Sequence, residues 1–327
     1  MKALVYTGPE RLEYRDMPDP QPGAGDHVVR VDSVGICGSD MHAYLGHDER
    51  RPAPLILGHE AAGVITGGPG AGRRVTVNPL VSCGVCPACV GGRDNICPDR
   101  QILSMPPREG AFAELVTSPE RNLVTVPDAV PLAKAALAEP IACGWHAVRL
   151  GRQALQTTPP SALVFGGGAI GVGAALCCYA QGIESVTVVE PNATRRMALA
   201  ASTGLTTVAP DDLTESPEFD LVIDGVGIDA TRAAASAKVN PGGVITHIGL
   251  GSATGGLDIR RMTLQEITFI GTYTYTMQDF RDTAQAIFDG RLLALDWIEH
   301  RSLAEGARAF EDIRAGRVAA PKIILTP

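Results

Sequence analysis

The stretch "SALVFGGGAIGVGAAL" at residues 161–176 constrains the fold of this chain more than any other. A short apolar run that suits a strand meets three glycines and then a run that suits an apolar helix. In that context Gly166-x-Gly168-x-x-Gly171 lets backbone approach a pyrophosphate, and the helix N-terminus, with Ile170 in its first turn, favours the negative charge. "SVTVVE" follows as a second strand and ends at Glu190, 19 positions after Gly171. A carboxylate there accepts both ribose hydroxyls of NAD and repels the 2′-phosphate of NADP, so NAD is expected. Arg195 and Arg196 follow closely and work against that preference, unless they lie on a solvated helix face. Further strand-like runs, "FDLVIDGVG" (219–227), "GGVITHIGL" (242–250) and "ITFIGTYTY" (267–275), alternate with helical runs such as "ATRAAASAKV". Such alternation means a parallel sheet with right-handed crossovers. Val226 with its flanking glycines, and Ile248, fall at strand ends, where the ligand crevice of such a sheet opens. Ordinary turn glycines are the plainer reading of the same segments.

Residues 153–183 carry no charge, which raises the alternative of a membrane helix. "TTPP" ahead of the apolar part and "GGG" within it divide the stretch into a strand and a helix and exclude that reading. The formal net charge of −8 argues against nucleic acid or an anionic membrane surface as partner. "MKALVYTGPE" reads as a strand with no signal-peptide core, so a cytoplasmic protein is expected.

Four of the eight cysteines, Cys83, Cys86, Cys89 and Cys97, crowd into "CGVCPACVGGRDNIC". In a reducing compartment such a cluster binds metal rather than forming disulfides. Four thiolates are the ligand set of a closed, structural zinc site, and Gly84, Pro87, Gly91 and Gly92 supply the turns that wrap it. Upstream, Cys37 follows an apolar run, and His59 and Glu60 stand in "LILGHEAAGVI". Thiolate, imidazole and carboxylate are the ligand types of a catalytic zinc that keeps a place for substrate.

In their order along the chain, "GICGSDMH", "LGHEAAGVI", "CGVCPACVGGRDNIC", "AEPIACGWHAV" and "VFGGGAIGVGA" resemble the zinc-dependent medium-chain dehydrogenases. Within that family they look most like the polyol branch of sorbitol and galactitol-phosphate dehydrogenases. The resemblance covers essentially the whole chain, and the cysteine cluster and "GHE" are its most specific parts. It implies an α/β protein with a GroES-like β-rich catalytic domain at 1–145, completed by 292–327, and a doubly wound Rossmann NAD domain at 146–291. Two zinc ions per chain are implied. Cys37 and His59 would be ligands of the catalytic one, and Glu60 a ligand or an exchangeable neighbour. Glu139 would complete the set, with Cys143 as its rival.

By the same resemblance, Ser39 and His42 form a proton relay. Asp40 holds His59 in one tautomer, a role compatible with capping the helix start. Tyr44 either lines the substrate pocket or packs in the core. Arg195 stacks on adenine, Val226 and Ile248 belong to segments touching the nicotinamide ribose, and Lys322 reaches the cofactor pyrophosphate, an exposed strand lysine being the alternative. His146 is read as packing at a helix start, and His27, His47, His247 and His300 carry no role. The chain departs from its relatives in a trimmed connection between Ile65 and Val75 and in an abbreviated stretch at 206–220, where a peripheral helix is expected to be short.

The implied reaction is NAD-linked oxidation of a polyol or related secondary alcohol to its ketone. A phosphorylated substrate would want a basic side chain, for which the arginines of "DERR" (48–51) are candidates unless simply solvated. L-Threonine or a simple secondary alcohol is the runner-up substrate. A non-catalytic zinc-stabilised interaction protein would keep the four cysteines yet not need Cys37, His59 and Glu60 together, and the zinc-free quinone reductases lack both sets. The family forms homodimers or homotetramers, with "ITFIGTYTY" as a candidate subunit-facing edge.

Overall fold

Antiparallel pairing builds the first part of the chain, in a computed structural model describing residues 1–213 and 218–327. β1 (Lys2–Gly8) pairs with β2 (Arg11–Asp16), and the long β3 (Asp26–Gly35) delivers the chain to helix α1 (Gly38–Tyr44). β4 (Leu55–Ile56) returns to β1, and β5 (Glu60–Ile65) pairs antiparallel with β3. The connection to β6 (Arg74–Val77) is a tight hairpin, closed by the Gly72 N–H donating to the Ile65 carbonyl at 2.9 Å. β7 (Leu80–Val81), the single-turn α2 (Pro87–Val90) and β8 (Gln101–Ile102) frame the cysteine loop. β9 (Leu115–Pro119), β10 (Leu123–Thr125) and α3 (Leu132–Ala135) follow.

Helix α4 (Ala138–Leu155) then leads into alternating strands and helices. β11 (Ser161–Phe165), α5 (Ala169–Ala180), β12 (Ser185–Val189), α6 (Ala193–Thr203) and β13 (Thr206–Val208) make one half. β14 (Phe219–Asp224), α7 (Asp229–Lys238), β15 (Val239–His247), α8 (Ile259–Leu264) and β16 (Thr268–Gly271) make the other. All pairs are parallel, in the order β13-β12-β11-β14-β15-β16. That order is doubly wound, and it reverses between β11 and β14. Ala162, Leu163 and Val164 are fully buried, as befits a strand covered on both faces. The uncharged stretch is thus a strand and a helix, and no helix among the described residues is long and apolar enough to cross a membrane. The abbreviated stretch holds β13 and one 3₁₀ turn at Pro210–Leu213, while its residues 214–217 lie outside the described residues. β16 takes only four residues of "ITFIGTYTY", because the backbone leaves the sheet before Thr274, whose φ is 48°.

After α9 (Met277–Phe288), the chain closes with β17 (Ile298–Ser302), α10 (Gly306–Arg314) and β18 (Lys322–Thr326). β18 pairs antiparallel with β3 and parallel with β17, so the C-terminal strands complete the first sheet. Two compact units result: Met1–Glu139, Thr276–Asp289 and Ile298–Pro327 form one, and Pro140–Tyr275 with Gly290–Trp297 the other. α9 thus belongs to the first unit, not to the nucleotide half where the resemblance places it. The Met277 N–H donates to the Asp94 carboxylate at 3.0 Å, and Asn78 Nδ2 donates to the Met277 sulfur at 3.3 Å, which ties the helix there. The core of the first unit gathers Leu4, Val34, Leu57, Phe112 and Phe310; that of the second gathers Leu163, Val222 and Ile245.

Candidate functional site

Strand register assembles the first cluster. β3 and β5 pair with Gly35 opposite Glu60 and Val34 opposite Ala61. The chain leaving β3 through Ile36 and Cys37 therefore lies beside the chain entering β5 through His59 and Glu60. Cys37, His59 and Glu60 each present a ligand atom within 4.8 Å of the others. A side chain at position 35 would block this, since a Cβ there would fall 2.0 Å from Glu60 Oε2. That carboxylate oxygen is buried and takes no hydrogen bond within the protein. A buried acceptor without a donor is costly, and a cation beside a thiol and an imidazole meets the need.

The neighbours of this cluster orient it. Asp40 is fully buried. It accepts from the Cys37 N–H at 3.0 Å and the Gly58 N–H at 3.2 Å, and its Oδ1 lies 3.4 Å from His59 Nδ1. It thus stabilises the first turn of α1 and fixes the imidazole at once. Burial alone would raise the Asp40 pKa, but His59 and Arg51 hold it below the usual carboxylate range. Burial likewise disfavours charge on His59, yet Asp40 and Cys37 outweigh it and raise its pKa well above the ordinary value. Such negative surroundings suit a bound cation.

Glu60 Oε1 accepts from Lys322 Nζ at 2.6 Å, and the same ammonium donates to the Ile36 carbonyl at 2.8 Å. Lys322 is therefore not an exposed strand lysine, and its ammonium is engaged by Glu60 and the Ile36 carbonyl. It is buried because β18 pairs with β3, with Ile324 opposite Gly35. Burial lowers its pKa, and Glu60, Cys37 and Glu139 raise it by more. Glu139 is buried but stands outside the Cys37–His59–Glu60 group. Ser39 and the exposed His42 share the short helix α1. Tyr44 packs in the core, its ring 5.2 Å from that of Phe310. Arg51 is also buried, with its donors turned to Ser104, Ser39 and Asp48. The "DERR" loop is thus neither wholly solvated nor, through Arg51, open to a phosphate. Sequence reasoning offered Arg51 only as a phosphate ligand or a solvated residue and missed its place beside Ser39, and it missed Ser104, which no spacing or motif marks.

The four cysteines form the second cluster, with all four sulfurs within 4.8 Å of one another. Cys83 and Cys89 sulfurs are 3.9 Å apart, and those of Cys86 and Cys89 are 3.5 Å apart. A tetrahedral zinc with bonds of about 2.3 Å sets its sulfurs about 3.8 Å apart, so the group fits that ion. No residue of α2 is buried, and Val85 and Val90 are exposed.

In the second unit, the carboxyl ends of β11, β12, β14 and β15 carry the nucleotide-type residues. Gly166 sits at the turn with φ of 102°, and a Cβ on Gly171 would lie 1.8 Å from the Gly166 carbonyl oxygen. Gly168 caps α5 with open space beside it, and Ile170 follows in the first turn. Glu190 accepts from the Gly167 N–H at 2.9 Å and the Asn192 N–H at 2.8 Å, and Arg195 lies 3.5 Å from it. Asp224 accepts from the Val226 and Gly227 N–H groups and shapes the loop after β14, while the Ile248 N–H donates to its carbonyl. His247 also finds a setting, with Nε2 3.6 Å from the same Asp224 carboxylate. His146 is buried on α4, where Nδ1 meets Arg149 at 3.1 Å, and His27 pairs with Glu120 at 2.8 Å.

Residues 23–128 match the alcohol dehydrogenase GroES-like domain family, and residues 169–289 match the zinc-binding dehydrogenase family. The chain is 30% identical over 320 residues to the L-galactonate-5-dehydrogenase of Escherichia coli, spanning 92% of this chain and 91% of that protein. It is 31% identical over 295 residues to the sorbitol dehydrogenase of Bacillus subtilis, spanning 84% and 82%. Among solved structures, an Escherichia coli alcohol dehydrogenase complexed with NADH superposes with a TM-score of 0.89 at 26% identity, covering 100% of this chain and 99% of that one.

Proposed function

The chain belongs to the zinc-binding dehydrogenases that carry an alcohol dehydrogenase GroES-like domain, and we propose that it oxidises a secondary hydroxyl of a polyol or sugar-derived substrate to the ketone, with NAD as acceptor. The observation that carries this is the convergence of Cys37, His59 and a Glu60 oxygen that has no donor of its own. These three would hold the catalytic zinc and leave its fourth position to substrate, and Cys83, Cys86, Cys89 and Cys97 would hold the structural one. Zinc supplies the Lewis acidity that lets an alcohol ionise near neutral pH, and nicotinamide supplies the hydride acceptor. Ser39 accepts the alcohol proton, and the exposed His42 on the same helix passes it to solvent. Asp40 keeps the proton of His59 on Nδ1, which leaves the other ring nitrogen free to bind metal.

Gly166, Gly168, Ile170 and Gly171 would receive the pyrophosphate, Glu190 the adenine ribose with Arg195 beside the base, and Val226 and Ile248 the nicotinamide ribose. Lys322 serves Glu60 in this reading, not the cofactor. The relatives that act on L-galactonate and sorbitol support an unphosphorylated polyhydroxy substrate, and the committed donors of Arg51 support it further. Four thiols serve as ligands only when reduced, which supports a cytoplasmic enzyme. β16 is an edge strand of its sheet, and Leu250, Ile259 and Leu264 in the segment leading to it are exposed, which supports a homodimer or homotetramer formed through that edge.

The test is metal analysis together with a substrate panel. Purified protein should bind two zinc ions per chain. It should reduce NAD, and NADP more slowly, with free polyols or sugar acids ahead of their phosphates, L-threonine and simple secondary alcohols. One zinc per chain and no turnover of any alcohol would instead identify a zinc-stabilised protein that is not a dehydrogenase.

A further inference from the structure

Arg51 is 3% exposed, although it sits in a run of four charged residues. A buried guanidinium is costly unless its donors find acceptors. Its Nε donates to the Ser104 carbonyl at 3.0 Å. One terminal nitrogen donates to the Ser39 carbonyl at 3.0 Å and the Asp48 carboxylate at 2.9 Å, and the other reaches Ser39 Oγ at 3.4 Å. Ser104, held by its carbonyl, has a left-handed φ of 65° and turns its hydroxyl to within 3.5 Å of His59 Nδ1. One side chain thus ties the start of α1 to the turn behind the imidazole, and Asp48 balances its charge.

The chemistry of that contact is directional. A guanidinium donates and never accepts. Beside Ser39 it occupies one lone pair of the hydroxyl oxygen and leaves the other lone pair and the O–H free. A hydroxyl that moves a proton must accept on one side and donate on the other, and the bond to the Ser39 carbonyl holds the backbone from which it projects. We propose that Arg51 is a positioning residue that holds the Ser39 hydroxyl in the orientation its proton transfer requires. The proposal rests on the reading of Ser39 as the proton acceptor.

R51K, S39A and the double variant, each as the zinc-loaded full chain, test it. Lysine keeps the charge and can serve Asp48, but one ammonium cannot span both Ser104 and Ser39. The kcat of R51K should fall about tenfold, within the roughly hundredfold that a displacement of about 1 Å can cost. KM should stay within about twofold, since ground-state binding is not what is lost. Zinc content should be unchanged, and a crystal structure of R51K should show Ser39 Oγ in a different rotamer. S39A should lose activity comparably, and the double variant should be no worse than S39A alone. If the two losses multiply, Arg51 acts on something else and the proposal is overturned while the reading of Ser39 stands. If S39A keeps full activity, that reading fails and takes the proposal with it. A sharp fall in melting temperature or zinc content in both R51K and R51Q would make the arginine structural and would also overturn it.

Discussion

Cys83, Cys86, Cys89 and Cys97 come from a single loop, and three of them are only half-buried, whereas Cys37, His59 and Glu60 come from two strand ends, and His59 and Glu60 are buried. The loop turns its apolar side chains outward: Val85 and Val90 are 81% and 77% exposed. Its sulfurs are gathered by turns and kept together by whatever they bind. The other group is gathered by the β3–β5 register, by a glycine that leaves room for Glu60, and by a core that exists whether or not an ion is present. In the loop the ion supplies folding energy. At the strand ends the fold supplies the ion's geometry.

The sharpest way to break this contrast is to remove a ligand at the strand ends. Cys37→Ala should lower kcat/KM by at least about a thousandfold, the scale of several kcal/mol of charge stabilisation. One of the two zinc ions should be lost, and the chain should still melt cooperatively. Retained turnover would remove Cys37 from the chemistry. A smaller effect should come from Asp40→Asn, which keeps the shape but weakens the grip on His59. Zinc affinity at that site should fall about tenfold to a hundredfold, read by chelator competition. An unchanged affinity would mean that Asp40 serves only the helix start.

How far the sequence disclosed this arrangement depends on the range of each contact. The strand–glycine–helix run and the four-cysteine loop are local, so spacing alone exposed them. Cys37 and His59 are 22 positions apart and legible by residue type, although only the register of β3 on β5 explains why they meet. Lys322 was not legible: it meets Glu60 across 262 positions because β18 returns to β3, and no local pattern encodes that return. Arg51 was hidden for a different reason. A charged run usually faces water, and its burial depends on acceptors from Ser39 and Ser104, which no periodicity points to. Tyr44 was left between a substrate pocket and the core, and its packing against Phe310 places it in the core, while the bonds from Met277 to Asp94 tie α9 to the first unit.

The loop should respond in the opposite sense, with the smallest effect on turnover. Backbone N–H groups of Val85 and Cys86 bring the Cys83 thiol down to about 7, while burial and the neighbouring thiols push Cys89 up to about 12. The loop by itself therefore favours the thiolate at Cys83 and disfavours it at Cys89. An ion must displace thiol protons to bind all four sulfurs, so the stability it confers falls as pH falls. Cys89→Ser should lower the melting temperature by about 10 °C, equivalent to a few kcal/mol for units of this size. Turnover well below that temperature should stay within about twofold, because the ligands at the strand ends are untouched. The melting difference between parent and variant should narrow as pH is taken below about 7, where thiols hold their protons against the metal. A Cys89→Ser melt that matches the parent at every pH would show that the loop holds itself, and the contrast between the two groups would disappear.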